Sequence, residues 1–376
     1  MNDTKVVHAV GARPNFVKMA PVIRALDEAG GFSQRIVHTG QHYDASLSDD
    51  VLADLDFPAP TDFLGVGSGT HGEQTAKALA GFEQILLGDP PDLVVIAGDV
   101  NSTLACALAA AKLGVRIAHI ESGLRSGDWT MPEEINRVLT DRLSDLLFTH
   151  SPEALDNLVR EGIDADRVHY VGNTMIDSLR RIEPRAREAA YWTELGLGLG
   201  VHEYVLVTLH RPSNVDGERQ LAGITAALVE LAGRVPVVFP IHPRTHKRLE
   251  ENGGLARLEE AGIHCLGPVG YVQFLSLELG AGAIVTDSGG VQEEAAAFGV
   301  PCFTLRTSTE RPITLSHGTN VLLGDDPASL RRVEVVGREP VPCAVPLWDG
   351  HAGERIAVVI AEELASETCE PSVVEA

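Results

Sequence analysis

"DLVVIAGDVNSTLACALAAAKLGVRIAHIE", residues 92–121, sets two short apolar runs, "LVVIA" and "VRIAHI", on either side of the helix-like "TLACALAAAKLG". Runs of this length read as buried strands, and the segment between them has the pattern of a helix. The same alternation extends in both directions. Upstream, "KVVHAV" leads into "NFVKMAPVIRALDEAG" and then "RIVHTG"; downstream, "LLFTH" is followed by "SPEALDNLVREG". It resumes after "VHEY" with "VLVTLH", "VPVVFPIH", "IHCLGP", "AIVTDS" and "PCFTLR". Strands and helices that alternate in this way form parallel sheets covered on both faces. The fold class is therefore α/β, with two Rossmann-like doubly wound domains. The join is expected near residues 173–204, giving domains over 1–178 and 179–376.

Composition bounds the function. A chain of 376 residues that is 44% hydrophobic can bury a large core and exceeds one ordinary domain. With 30 Lys+Arg against 53 Asp+Glu, the formal charge is -23, which disfavours nucleic acid and anionic membrane as partners. The five cysteines (Cys106, Cys265, Cys302, Cys343, Cys369) are scattered without CxxC spacing, so neither a disulfide framework nor a zinc cluster is expected. Apolar runs fall far short of the ~20 residues needed to span a bilayer, and the start "MNDTKVVHAV" lacks the pattern of a secretory signal. A cytoplasmic protein is expected.

In doubly wound sheets ligands collect outside the carboxyl ends of the strands. The residues just past each apolar run are "GARPN", "GDVNS", "ESGLRSGD", "HRPSN", "HPRTH" and "DSGG", a set rich in Arg, His, Asp and Gly. Each alone has a bland reading, since Asn101 and Ser288 can be helix caps. "MPEEINR" (131–137) likewise puts Pro132, Glu133 and Glu134 where a helix N-terminus favours them, with Arg137 one turn beyond Glu133. Six such loops at one end of the strands exceed what capping needs. Ser288, Gly289 and Gly290 open a helix whose bare N–H groups suit a phosphate. Glu294, about a turn on, can accept from ribose hydroxyls. Arg13, Lys18, His210 and His242 can supply charge or donors to a diphosphate. A bound nucleotide diphosphate follows.

Rival motifs are missing. The first strand precedes "GARPN" and not GxGxxG, no GxxxxGK[ST] occurs, and "HPRTH" lacks the glutamate of HExxH. Neither a redox cofactor nor a metal is expected.

In order along the chain, "GARPNFVKMAPVI", "HTGQHYD", "GDVNSTLA", "ESGLRSGDWTMPEEINR", "GNTMIDSL", "TLHRPSNVD", "TDSGGVQEEAAAFGVP", "RTSTERP" and "WDGHAGERI" resemble the non-hydrolysing UDP-N-acetylglucosamine 2-epimerases. The resemblance implies a GT-B-type architecture with the site in the cleft between domains, a final helix over about 350–365 that packs back toward the N-terminal domain, and a homodimer. It also implies interconversion of UDP-GlcNAc and UDP-ManNAc without cofactor, by elimination of UDP to a 2-acetamidoglucal and re-addition. Carried onto matching positions, the catalytic carboxylates are Asp99, Glu121 and Glu133, with Arg137 and His210 on the leaving group. Arg13, Lys18, His242, Ser288, Gly289 and Gly290 lie along the diphosphate, Phe274 near the uracil and Glu294 on the ribose. Other readings of the same motifs are an epimerase of a related UDP-HexNAc, a hydrolysing epimerase that releases ManNAc, a UDP-sugar glycosyltransferase, or a nucleotide-binding protein without activity.

The widespread bacterial pattern GTRPE, QHR, GDTTT, EAG and HRREN is replaced here by "GARPN", "QHYD", "GDVNS", "ESG" and "HRPSN". Asn15 and Ser213 stand in place of carboxylates. The QHR and HRREN loops help the bacterial subgroup bind a second, activating UDP-GlcNAc, so Tyr43, Pro212 and Ser213 imply turnover without activation.

Overall fold

The computed structural model describes residues 3–40, 52–196, 198–335, 341 and 344–367. The chain divides into two compact units, Met1–Ser178 with Pro346–Ala376, and Leu179–Val345. In the first, strands β1 (Thr4–Val10), β2 (Phe32–His38), β3 (Asp62–Phe63), β4 (Leu93–Ala97), β5 (Arg116–Ile120), β6 (Leu146–Thr149) and β7 (Val168–Tyr170) form one parallel sheet in the order β3-β2-β1-β4-β5-β6-β7. Helices α1 (Arg13–Ala29), α2 (His71–Gly88), α3 (Asn101–Lys112), α4 (Pro132–Leu143) and α5 (Pro152–Arg160) connect them, and α6 (Thr174–Ala189) carries the chain onward. Residues 92–121 are β4, α3 and β5 with their connecting turns. All five β4 residues are buried, as a central parallel strand requires, and Val94 and Ile96 pack with Cys106, Ala107 and Ala110 of α3. The order reverses between β1 and β4, which makes the loops after these strands the expected ligand site.

The second unit repeats the plan with β8 (Val205–Thr208), β9 (Val237–Pro240), β10 (His264–Leu266), β11 (Ala283–Thr286), β12 (Cys302–Thr304) and β13 (Asn320–Leu322), parallel and ordered β10-β9-β8-β11-β12-β13. Its longer helices are α7 (Glu218–Ala232), α8 (Pro243–Glu251), α9 (Tyr271–Gly280) and α10 (Gly289–Phe298). The reversal here falls between β8 and β11. No described helix is long and apolar enough to cross a membrane.

The closing helix α11 (Ala352–Glu367) belongs to the first unit, where it packs on α1. The contact rests on a proline. Pro21 lies inside α1 and has no N–H to give the carbonyl of Val17, one turn back. Ser178 of α6 supplies the missing donor, its Oγ lying 2.6 Å from that carbonyl. Gly353 of α11 then sits so close over Pro21 that a Cβ there would lie 2.7 Å from the Pro21 carbonyl oxygen. Asp177, beside Ser178, accepts the Gly353 N–H at 2.7 Å and so caps α11. Replacing Ser178 with Ala would leave a buried carbonyl unpaired. We expect Ser178→Ala to destabilise the fold by about 1–3 kcal/mol, measured by chemical denaturation, with Ser178→Thr closer to the unaltered chain.

Candidate functional site

In the first unit Gly98 and Asp99 directly follow β4, and Glu121 directly follows β5. Gly98 has φ +71 and Glu121 φ +65, the latter in the left-handed region that a side chain rarely adopts. Such strain persists where the surroundings over-determine it. Glu121 is 7% exposed and ion-paired with Lys18 of α1. A Cβ on Gly98 would lie 3.1 Å from the Lys18 Nζ, so the glycine gives the pair its space. Asn15 organises the neighbouring loop. Its Oδ1 accepts the N–H groups of Gly11 (3.1 Å) and Ala12 (2.9 Å), and its Nδ2 donates to the Ala97 carbonyl at 2.8 Å.

Arg137 of α4 is 3% exposed and pairs with Asp99 through Nη2 and with Glu134 through Nη1, the latter at 2.9 Å. The ion pair available from the sequence, Glu133 with Arg137 one turn on, is replaced by Glu134 at i,i+3. The two glutamates divide their work by helix face. Glu134 is buried and also accepts from Ser126 and Gly127, fixing the preceding loop, whereas Glu133 is exposed. Asn101 is not the cap of α3, which is Val100. Its side chain joins a network with Gln74 (2.8 Å) and Asn136 (3.2 Å), and Asn136 holds the Asp99 carbonyl at 2.9 Å. The first unit thus gathers Lys18, Asp99, Glu121 and Arg137 on the ends of β4 and β5 and the adjoining turns of α1 and α4. Arg13 opens α1, and its side chain lies outside the described residues, as does Tyr43.

In the second unit the reversal point is built on Asp287, which is fully buried after β11. Its carboxylate accepts from the backbone N–H of His210 (3.1 Å) and Arg211 (2.9 Å), from Asn214 Nδ2 (3.0 Å), and faces His210 Nδ1 at 3.2 Å. With Nδ1 on this side, Nε2 is the ring nitrogen of His210 turned away from Asp287. The His242 ring lies 5.6 Å from that of His210. Its Nδ1 accepts the Arg244 N–H at 3.2 Å, capping α8. Burial and the neighbouring His210 hold His242 below the usual imidazole range, so it offers a neutral N–H donor and not the charge the sequence allowed.

Ser288 is the N-cap of α10, but its side chain makes no capping bond, and Gly289 and Gly290 begin the helix. The first turn therefore presents backbone N–H groups with the positive end of the helix dipole. A side chain on Gly289 would strike Arg311. Arg311, in "RTSTERP", pairs with Glu293 (3.1 Å) and Glu310 (2.7 Å), and Glu310 also meets Arg306 at 2.7 Å and Arg211 at 3.4 Å. Burial would raise the Glu310 carboxyl, but Arg311, Arg306 and Arg211 hold it far below the usual carboxylate range.

Glu294 is 6% exposed and accepts from the Tyr271 hydroxyl of α9 at 3.0 Å. Phe274, one turn after Tyr271, is half-buried on the same helix. Behind Glu294 stands Glu278, fully buried. Burial, and then the charge of Glu294, pushes its carboxyl well above the ordinary range. Tyr271, Glu278, Asp287 and Arg311 were not singled out by strand-end reasoning. Only Asp287 and Arg311 lie in quoted motifs; Tyr271 and Glu278 sit in an apolar run that reads as core. A carboxyl raised on folding adds stability that is complete below its unfolded value, about pH 4, and lost as pH climbs through the raised folded value. Gln at position 278 is neutral throughout. We expect the melting temperature of Glu278→Gln to fall less than that of the unaltered chain as pH is raised from about 4 to about 9.

The sequence model of the UDP-N-acetylglucosamine 2-epimerase family matches residues 24–361. A UDP-N-acetylglucosamine 2-epimerase of Methanocaldococcus jannaschii is 43% identical over 359 residues, 93% of this chain and 97% of that protein. The UDP-2,3-diacetamido-2,3-dideoxy-D-glucuronate 2-epimerase of Pseudomonas aeruginosa is 44% identical over 324 residues, 85% of this chain and 88% of that protein. The crystal structure of the M. jannaschii UDP-GlcNAc 2-epimerase with UDP-GlcNAc and UDP superposes with a TM-score of 0.86 at 42% identity, covering 96% of this chain and 100% of that one. The chain belongs to the UDP-N-acetylglucosamine 2-epimerase family.

Proposed function

We propose that this protein interconverts UDP-GlcNAc and UDP-ManNAc at C2 of the sugar. The observation that carries the reading is the pairing of Asp99 with Arg137 and of Glu121 with Lys18 at the ends of the adjacent strands β4 and β5. The C2 hydrogen is not adjacent to a carbonyl and is poorly acidic, so it is removed by a carboxylate as the C1–O bond breaks. That bond's electron pair leaves with UDP, and the C2–H pair becomes the C1=C2 bond of a 2-acetamidoglucal. The UDP oxygen then re-adds at C1 while a proton is returned to the other face of C2. Two faces require more than one positioned acid or base. Asp99, Glu121 and the exposed Glu133 fill these roles, and Arg137 and His210 meet the charge that grows on the departing diphosphate. Ser288, Gly289 and Gly290 hold the phosphates and Glu294 the ribose. The P. aeruginosa relative supports a second reading, a UDP-HexNAc uronic acid as substrate.

UDP-GlcNAc in deuterated water is expected to gain deuterium at C2 in substrate and product; retention of the original hydrogen through epimerisation would exclude elimination. Asp99→Asn and Glu121→Gln should lower turnover by roughly 10²-fold or more with UDP affinity little changed, whereas His210→Ala should weaken UDP binding as well. Competition of the two UDP-sugars in one assay, scored by kcat/KM, chooses between the substrates.

Pro212 opens a short helical turn and Ser213 is exposed, so the "HRPSN" loop lacks the Arg and Glu of HRREN. Without those side chains, a second UDP-GlcNAc forgoes about 1.5–3 kcal/mol for every charge-assisted hydrogen bond they would make. We expect hyperbolic kinetics, and conversion of pure UDP-ManNAc without a lag; a lag abolished by a trace of UDP-GlcNAc would refute this.

A further inference from the structure

His119 lies within β5, opposite Ile96 of β4, and is fully buried. Both ring nitrogens face oxygen. Nδ1 is 2.7 Å from Oδ1 of Asp141 on α4, and Nε2 is 2.8 Å from the carbonyl of Gly98. A neutral imidazole has a single N–H, so its other nitrogen would turn a lone pair on one of these acceptors. Two donated hydrogen bonds require the imidazolium. Asp141, also fully buried, has the partners of an ionised carboxylate: its Oδ2 accepts the Gly123 N–H at 3.1 Å and meets Arg125 at 2.8 Å. Burial pushes the Asp141 carboxyl up, but His119 and Arg125 outweigh it and hold the group below its ordinary value.

Other charged groups stand near this pair. Arg125 is anchored by Glu161 at 2.7 Å, behind Asp141, and Lys18 and Glu121 lie on the far side of Gly98. The two backbone groups held matter most. Gly98 directly precedes Asp99, and Gly123 follows Glu121 by two residues, so one buried ion pair grips the backbone of both loops that carry the carboxylates. Neither His119 nor Asp141 is exposed to a substrate. Charge-assisted bonds are shorter and stronger than neutral ones, and a displacement of ~1 Å at reacting groups can cost 10²-fold in rate.

We propose that His119, as the doubly protonated imidazolium, and Asp141 form a positioning pair that fixes Asp99 and Glu121 relative to each other for proton transfer at C2. The proposal rests on the assignment of Asp99 and Glu121 as the proton-transfer carboxylates.

The charge state is read on the unaltered protein. ¹⁵N NMR of the imidazole at pH 7.5 is expected to show protons on both nitrogens of His119; an unprotonated nitrogen overturns the proposal. Function is read on Asp141→Asn. With its counter-ion removed, the charge-assisted hold on the Gly98 and Gly123 backbone is lost, so kcat is expected to fall roughly 10- to 100-fold. KM and UDP affinity should stay within about twofold, a split that general loosening of the fold would not produce. A folded variant with unchanged kcat overturns the proposal. Should Asp141→Asn fail to fold, His119→Gln keeps a donor for Gly98 and cuts the tie to Asp141; a kcat reduced at unchanged UDP affinity supports the pair, and an unchanged kcat overturns it. Asp99→Asn and Glu121→Gln separate the two levels. If both retain full turnover, the carboxylate assignment fails and takes the pair's role with it. If both lose turnover while Asp141→Asn does not, the positioning pair alone is wrong.

Discussion

A parallel sheet whose two faces are both covered by helices leaves no room for chemistry along its strands, and this constraint governs the rest of the molecule. β4 is buried from end to end, and so is β11. Reactive groups can stand only where a strand stops. At the reversal between β1 and β4, and again between β8 and β11, the helices that follow neighbouring strands leave to opposite faces, and the loops part. Lys18, Asp99, Asp287 and Ser288 all follow strands at these two points. Glu121 follows the next strand along. The same topology, used twice, provides a cluster of paired carboxylates and cations in one unit and a helix N-terminus in the other.

Burying charge at such places demands partners. An isolated ion removed from water is too costly to keep, whereas an ion pair with its remaining hydrogen bonds satisfied can persist. The chain has a large acidic excess, 53 Asp+Glu to 30 Lys+Arg, yet it commits cations to the interior with economy. Lys18 meets Glu121, Arg137 joins Asp99 to Glu134, and Arg311 joins Glu293 to Glu310. Where one cation serves two carboxylates, the second carboxylate also receives neutral donors or another cation. Glu134 takes the Ser126 and Gly127 N–H groups, and Glu310 takes Arg306.

What could be read from the sequence follows from the same physics. Strand ends are visible as the end of an apolar run, so His210 and Ser288 stand out by position, whereas Asp99 and Glu121 lie in strand-end strings but take their roles from the family resemblance. Facing is harder. Glu133 and Glu134 are adjacent in a helix start, and only the packing of α4 shows that the second is buried against Arg137 and the first exposed. Lys18 reads as a cation for a phosphate, but its partner Glu121 lies more than a hundred residues away, beyond any local periodicity. His119 is the hardest case. It sits inside the apolar run that defines β5, where a histidine reads as core, and its partner Asp141 is in the last turn of a helix where a carboxylate reads as solvated. Glu278 is hidden in the same way within "YVQFLSLELG".

Asn15 shows how a single amide shapes the surroundings of a buried ion pair. Where the widespread bacterial pattern has a carboxylate, this chain has an amide, and each of its atoms is used. Oδ1 receives two N–H groups, as a carboxylate could, but Nδ2 donates to the Ala97 carbonyl, which a carboxylate would repel. Asn15 therefore ties the start of α1 directly to the last residue of β4, one position from Gly98. It also changes the local charge. Its Nδ2 and the Lys18 Nζ both line the space beside Gly98, with the Glu121 carboxylate. With the amide, Lys18 and Glu121 form a neutral pair, whereas a carboxylate at position 15 would leave that corner with a net negative charge and draw Lys18 toward two anions. The amide lets Lys18 serve Glu121 with less competition, and it does so by a bond that pins the loop carrying Asp99.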